Sequence, residues 1–306
     1  MKKNNFLLLA CVPMLLSVLG CKPDFNTDAK VTVYAVPEKG DIVWENDVCI
    51  YRVSADTVAS DKFASSIDVW VKKPGRLVSK EWCWEARCHQ DRLLSNHDGQ
   101  GGDCYYADNS LGLGGSAYLK DSTFVPLPTP CRSFDVLRRT EDELIFVLHY
   151  PTWDLSRFHD AWLDKQIEIK AGSNFCKVTD FYSGHFDELT VAVGLAVQVN
   201  DNGISARQTD NNCLAWDWGA VPDTRGWNPT DCIGTALIVP DTCDVKMEMQ
   251  NGHIIMSRTI VPDEPFVYYI GSCWTGGNFA GCDKDQWPWH TMIQELNFEL
   301  RPQSQR

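Results

Sequence analysis

Apolar and polar residues alternate with a period of two along most of this chain. Residues 30–36, 48–53, 67–71 and 166–170 each send successive side chains to opposite sides, as half-buried strands do. More continuously apolar or β-rich runs occupy 134–137, 144–150, 189–199 and 266–270. Residues 245–249 and 253–256 flank Asn251-Gly252, and Asn-Gly predicts a tight hairpin because both central positions of such a turn need φ > 0. Short strands at regular intervals, with few helical patterns, predict an all-β fold, a sandwich or barrel. Residues 289–300 fit a helix or a last strand equally well.

One region breaks the pattern. Residues 82–115 carry Trp82, Trp84, Cys88, His89, Asp91, His97, Asp98, Asp103, Tyr105 and Tyr106 among many glycines, and no strand period survives there. A long loop of this kind is functional or disordered, and its aromatic content argues against disorder.

The N-terminus has a separate logic. Lys2 and Lys3 precede an apolar run over 6–19, and Val18-Leu19-Gly20-Cys21 follows. Positive start, apolar core and small residue before a cysteine are the parts of an export signal, too short for a permanent span of about 20 residues. The tetrapeptide resembles a bacterial lipobox, which implies acylation of Cys21. The expected organisation is therefore a signal peptide over 1–20, a lipidated polar tether over 21–30 and one β-sandwich domain over 31–306. Membrane attachment would come through the lipid alone, placing the protein in the cell envelope, on the periplasmic or outer-membrane surface.

Charge narrows the partners. The chain carries a formal net charge of −13, and loss of the two leader lysines makes the remainder more acidic still. Such a surface disfavours nucleic acid and anionic lipid, which require a basic footprint. Of 13 cysteines, Cys11 leaves with the leader and Cys21 takes the lipid, so an odd number remains. Cys83 with Cys88, Cys232 with Cys243, and Cys273 with Cys282 are close enough in sequence to close short loops, but connectivity does not follow from spacing. No C-x-x-C pair or histidine ligand spacing points to zinc, and no G-x-S-x-G elbow, P-loop or H-E-x-x-H is present.

Three constellations could carry chemistry. In 96–105, His97 and Tyr105 are side chains suited to proton transfer, Asp98 and Asp103 could orient them or hold a cation, and the glycines admit close backbone approach. The 12 tryptophans include W-x-W pairs. On a strand such a pair shows two rings on one side, and flat rings stack on the apolar faces of sugars. Most of these rings are expected in the core; Trp84 near His89, and Trp216 with Trp218 around Asp217, are the better platforms. Alternation over 67–72 places Asp68, Trp70 and Lys72 on one side, opposite Ile67, Val69 and Val71. The aspartates of 283–290 lack EF-hand spacing.

Four segments occur in order: Ile67-Asp-Val-Trp70, His97-Asp-Gly99 with Gly102-Asp-Cys-Tyr105, Ser110-Leu-Gly-Leu-Gly-Gly115, and Ile169-Lys-Ala-Gly-Ser-Asn174. In these the chain resembles domain-of-unknown-function family 4861, exported proteins of glycan-degrading Bacteroidota. The resemblance covers most of the chain. It implies a large antiparallel β-sandwich of the mutarotase-like supersandwich kind and a place in polysaccharide utilisation. The activity it favours is a lyase or dehydratase acting on uronate-containing oligosaccharides. That chemistry needs a base, an acid and a cation for the carboxylate. His97 and Tyr105 are the expected proton-transfer groups, with Asp98 or Asp103 supporting them. Lys72 or Arg132 is the expected cation, and Trp84, His89, Asp68, Trp70, Trp216 and Trp218 are expected to bind substrate. No cofactor is assigned, although a divalent cation such as calcium fits the aspartates. The alternatives are a non-catalytic glycan-binding lipoprotein and a glycoside hydrolase, which requires two facing carboxylates. The sequence leaves the oligomeric state open.

Overall fold

The computed structural model describes residues 24–25, 27–37, 39–55, 63–88, 93–96, 99–105, 107, 109–197, 205–208 (backbone only), 213–221, 227–228, 230–240, 245–277, 279 and 286–301. The alternating segments are strands. The first sheet is a meander of β1 (Val31–Ala35), β2 (Ile42–Asn46), β3 (Cys49–Val53), β4 (Ile67–Lys72) and β5 (Gly101–Asp103). Between β4 and β5 lies α1 (Ser79–Cys88). There follow β6 (Leu113–Lys120), β7 (Thr123–Pro126), β8 (Ser133–Arg139), β9 (Glu143–Ser156), β10 (His159–Lys170), β11 (Phe175–His185) and β12 (Leu189–Ala196). The rest are β13 (Ser205–Gln208), β14 (Cys213–Ala220), β15 (Cys232–Val239), β16 (Lys246–Gln250), β17 (His253–Ile260), β18 (Pro265–Trp274) and α2 (Trp287–Glu299).

Among the described residues every ladder is antiparallel. The second sheet has five strands in the order β16-β17-β12-β6-β7, and the third has eight, in the order β13-β14-β15-β18-β11-β10-β9-β8. The two smaller sheets lie side by side, with β4 meeting β6, and the eight-stranded sheet covers both. The expected all-β sandwich is what forms. Its core takes the inward residues of all three sheets, among them Trp44, Tyr51, Val69, Phe146, Ile167 and Val193. A charged pair sits inside it. Lys165 donates to Asp180 at 2.7 Å and to Ser116 at 2.8 Å, and also to Tyr268. Both charged residues are fully buried, so the pair must satisfy itself.

The family-like motifs divide into structural and site-forming parts. Gly112 has φ +60°, and a Cβ there would lie 2.1 Å from the Ile67 carbonyl, so only glycine lets β4 and β6 touch. Asn174 Nδ2 donates to the Ser272 carbonyl at 2.7 Å, and Asn46 Nδ2 donates to the Lys170 and Ser173 carbonyls. The 169–174 segment thus ties the large sheet to the β2–β3 turn. The Asn251-Gly252 hairpin forms as expected, with φ of 49° and 76°.

Two helices refine the sequence reading. The C-terminal segment is a helix: Pro lies in its first turn, and Trp289, Ile293 and Asn297 recur on one buried side. It packs on the outside of β14 and β15. Part of the region read as loop is α1, and a further part is β5. Within α1 only Ser79 and Trp82 are buried, so its apolar period is faint. Its start is held by Glu45 on β2, whose carboxylate accepts from the Val78 N–H at 2.7 Å, the Ser79 N–H at 3.0 Å and the Ser79 hydroxyl at 2.5 Å. A carboxylate there also complements the positive end of the helix dipole.

Candidate active site

Strand alternation sends one set of side chains on the first sheet inward and the other toward α1. The outward set includes Tyr34, Arg52, Asp68, Trp70 and Asp103. In register, Arg52 stands opposite Asp68, and Trp70 opposite Asp103. Arg52 Nη2 lies 2.8 Å from Asp68 Oδ2, and Trp70 Nε1 donates to that same oxygen at 3.0 Å. The guanidinium lies over the Trp70 ring, 5.3 Å from its centroid. Its Nη1 approaches Asp41 Oδ2 at 3.8 Å, and Asp41 is itself held by the Ala55 N–H at 3.0 Å.

Between this surface and α1 is a cavity of about 290 Å³. Its apolar lining includes Phe25, Tyr34, Trp70, Trp84 and Leu94, and its cations are Lys39, Arg52, Lys80 and Arg87. Among the described residues of that lining, Asp41 is the single carboxylate. Lys39, Lys80 and Arg87 make no ion pair with a described residue. Lys80 Nζ lies 5.3 Å from the Tyr34 ring centroid, and the Tyr34 hydroxyl donates to Cys83 Sγ at 3.4 Å. Burial holds the Tyr34 phenol well above its ordinary pKa, so it stays protonated. A cationic, aromatic-walled cavity in an acidic protein suits an anionic ligand that also has apolar faces.

The sequence-predicted residues separate on this frame. Trp70 and Trp84 line the cavity, Asp68 fixes Arg52, and Asp103 stands beside Trp70 on β5. Four expectations are corrected. Lys72 is 1% exposed and donates to Glu45 at 2.8 Å and to the Arg76 carbonyl at 2.6 Å, so it anchors α1 and cannot reach a ligand. Tyr105 is fully buried in the main core, which removes it from proton transfer with substrate. Trp216 and Trp218 share a side as predicted, but that side is packed under α2. Arg132 lies on the opposite layer, near His149 on β9. Cys83 and Cys88 are both free thiols. His89, His97, Asp98 and Cys21 lie outside the described residues, as do Cys243 and Cys282. No group of three or more potential metal ligands occurs among the described residues.

Sequence reasoning missed Arg52, Tyr34, Lys39, Lys80 and Arg87. Arg52 was within reach: pairing the strands at 48–53 and 67–71 as antiparallel neighbours places it opposite Asp68. The helix cations carry no such signal.

Comparison with known proteins gives a family and distant structural likenesses. The profile of the domain of unknown function DUF4861 matches residues 22–301. Uncharacterized protein P7 of Formosa agariphila is 25% identical over 302 residues, covering 91% of this chain and 71% of its own length. Among solved structures, an α-galactosidase of family GH36 from Geobacillus stearothermophilus is similar with a TM-score of 0.37 and 9% identity, over 80% of this chain and 41% of that one. The galactosidase domain of an α-galactosidase–sucrose kinase gives 0.36 and 8%, over 80% and 42%. A protein assigned as an aldose 1-epimerase from Klebsiella pneumoniae gives 0.33 and 7%, over 87% and 84%. The chain spans about two fifths of the length of the two galactosidase chains.

Proposed function

From the premise that the chain belongs to family DUF4861, we propose that it is a carbohydrate-active lipoprotein of the cell envelope, anchored through Cys21. In this reading the α1 cavity receives the uronate end of an oligosaccharide, and the protein is a carbon–oxygen lyase or dehydratase. The observation that carries the reading is the described lining of the cavity: among those residues, four cations and one carboxylate stand around aromatic rings, in a chain of net charge −13.

Each requirement of β-elimination finds a candidate. The proton next to a uronate carboxylate becomes acidic only when the carboxylate charge is neutralised, and Arg52, Lys80 and Arg87 supply that field. The C–H electron pair forms the new double bond as the C–O bond at the β position breaks. The departing oxygen takes a proton, and the Tyr34 phenol, which lines the cavity, is the group assigned to give it. His97 is the base in this proposal. It follows Asn96, close in sequence to Leu94 of the lining, and Leu94 is held to β5 by the Asp103 N–H at 2.8 Å. Trp70 and Trp84 take the apolar faces of the rings. Among the described residues, Asp41 and Asp68 both address one guanidinium and do not face each other across open space, so these two are not the carboxylate pair of a hydrolase.

The test is turnover of uronate oligosaccharides, followed by the absorbance of the unsaturated product. Wild-type protein should generate it, His97→Ala should lose it, and Tyr34→Phe should slow it. Calorimetric binding without any unsaturated product would make the protein a glycan binder. A new reducing end without unsaturation would make it a hydrolase. Wild-type rates from both variants would remove the assigned roles.

A further inference from the structure

The eight-stranded sheet has an outer side of its own, which α2 covers over β14, β15 and neighbouring parts of β18. Away from α2, β8, β9 and β10 present an open surface. His149 on β9 stands directly opposite Asp164 on β10, with Nδ1 2.7 Å from Asp164 Oδ1. Its Nε2 lies 3.2 Å from Asp135 Oδ2 on β8. Two carboxylates on two ring nitrogens hold the imidazole in place and favour its doubly protonated form. A groove of about 420 Å³ opens here, lined by Arg132, His149, Thr152, Trp162 and Asp164, with Tyr150 and Pro151 behind. Trp162 precedes Asp164 by two positions on β10, so indole and carboxylate point to the same side.

We propose that this groove is a second saccharide-binding site, selective for neutral pyranose units. It rests on the reading of the protein as carbohydrate-active, but not on lyase chemistry or on the α1 cavity. Trp162 offers a flat apolar ring for the C–H side of a pyranose. Asp164 accepts hydroxyl hydrogens, Arg132 donates, and Thr152 does either. The charge balance sets the selectivity. Arg132 and His149 face Asp164 and Asp135, so basic and acidic side chains are matched in number here, whereas the described lining of the α1 cavity is mostly cationic. His149 keeps Asp164 and Asp135 from drifting and is a positioning residue. It is not a metal ligand, since both its nitrogens are committed to carboxylates.

Affinity electrophoresis of the full chain through gels containing soluble xylan, galactomannan or β-glucan tests the site, with calorimetry on uronate oligosaccharides in parallel. Wild type should be retarded by at least one neutral polymer. Trp162→Ala should weaken that retardation roughly tenfold, Asp164→Asn should weaken it less, and Trp162→Phe should retain most of it. All three variants should keep wild-type uronate binding. Retardation of Trp162→Ala equal to wild type, or none of wild type by any neutral polymer, overturns the proposal. If uronate binding and turnover both fail while Trp162-dependent retardation persists, the second site stands and only the lyase reading falls.

Discussion

Arg52 is held by Asp68 at 2.8 Å, by Asp41 at 3.8 Å and by the Trp70 ring. A lysine keeps the charge but loses the planar fork that meets a carboxylate in two places. On the reading proposed for the α1 cavity, Arg52→Lys should therefore weaken binding of uronate oligosaccharides roughly tenfold by calorimetry, at nearly unchanged stability. His149 gives a second residue-scale prediction. Partial burial alone would lower its pKa, but hydrogen bonds and charge from Asp164 and Asp135 outweigh burial and raise it. A raised folded pKa means that the folded state holds this proton more tightly than the unfolded chain. The stabilising contribution is thus fully present below the ordinary histidine value of about 6.5 and is lost as pH rises through the folded value. The Tm difference between wild type and His149→Ala should be larger at acid pH than at alkaline pH, and an NMR titration should show the raised midpoint directly. A pH-independent difference would mean that the two aspartates do not act on the ring.

Among the elements, α1 depends most on a distant residue. Its apolar period is weak, and the group that caps it belongs to β2, 34 positions before Ser79. A cap from so far along the chain leaves no local trace, which is why 82–115 reads as loop although its beginning is helical. β9 and β10 were legible because one side of each is buried and the other is not, as their alternating exposure shows. β14 and β15 were not. With the core on one side and α2 on the other, they are buried almost throughout and lose the period of two. The same cover explains why Trp216 and Trp218 looked like platforms: their shared side was readable, the helix above them was not. The site was half legible for a related reason. Trp70 and Asp68 stand on a strand whose alternation reveals them, whereas Lys80, Trp84 and Arg87 acquire a direction only once α1 exists. Glu45→Gln should leave Lys72 buried without its counter-charge and loosen α1. The expected cost is about 3 kcal/mol by urea denaturation, with weaker uronate binding alongside. Adding Lys72→Met should recover part of the stability, because the stranded cation is then gone.

For the whole molecule, the contact between the two smaller sheets matters more than its size suggests. Gly112→Ala would push a methyl into the Ile67 carbonyl at a positive φ, and should cost about 1–3 kcal/mol in denaturant unfolding. The buried Lys165–Asp180 pair fastens the eight-stranded sheet to β6 through Ser116. Lys165→Met would leave Asp180 without its cation and should cost about 3–5 kcal/mol by the same measurement. A different consequence follows from how the layers stack. β1 and β2 pack against β9 and β10, so the α1 cavity and the His149 groove lie back to back on opposite outer surfaces of one sandwich. A stiff glycan strand cannot bend around the edge to occupy both. Two occupied surfaces therefore mean two separate strands, or two distant stretches of one, joined by a protein bridge. The molecule would then act as a cross-linker with no gain in avidity for short oligosaccharides, and its effect on a polymer would appear first as gelling or turbidity at protein concentrations that leave oligomers in free solution.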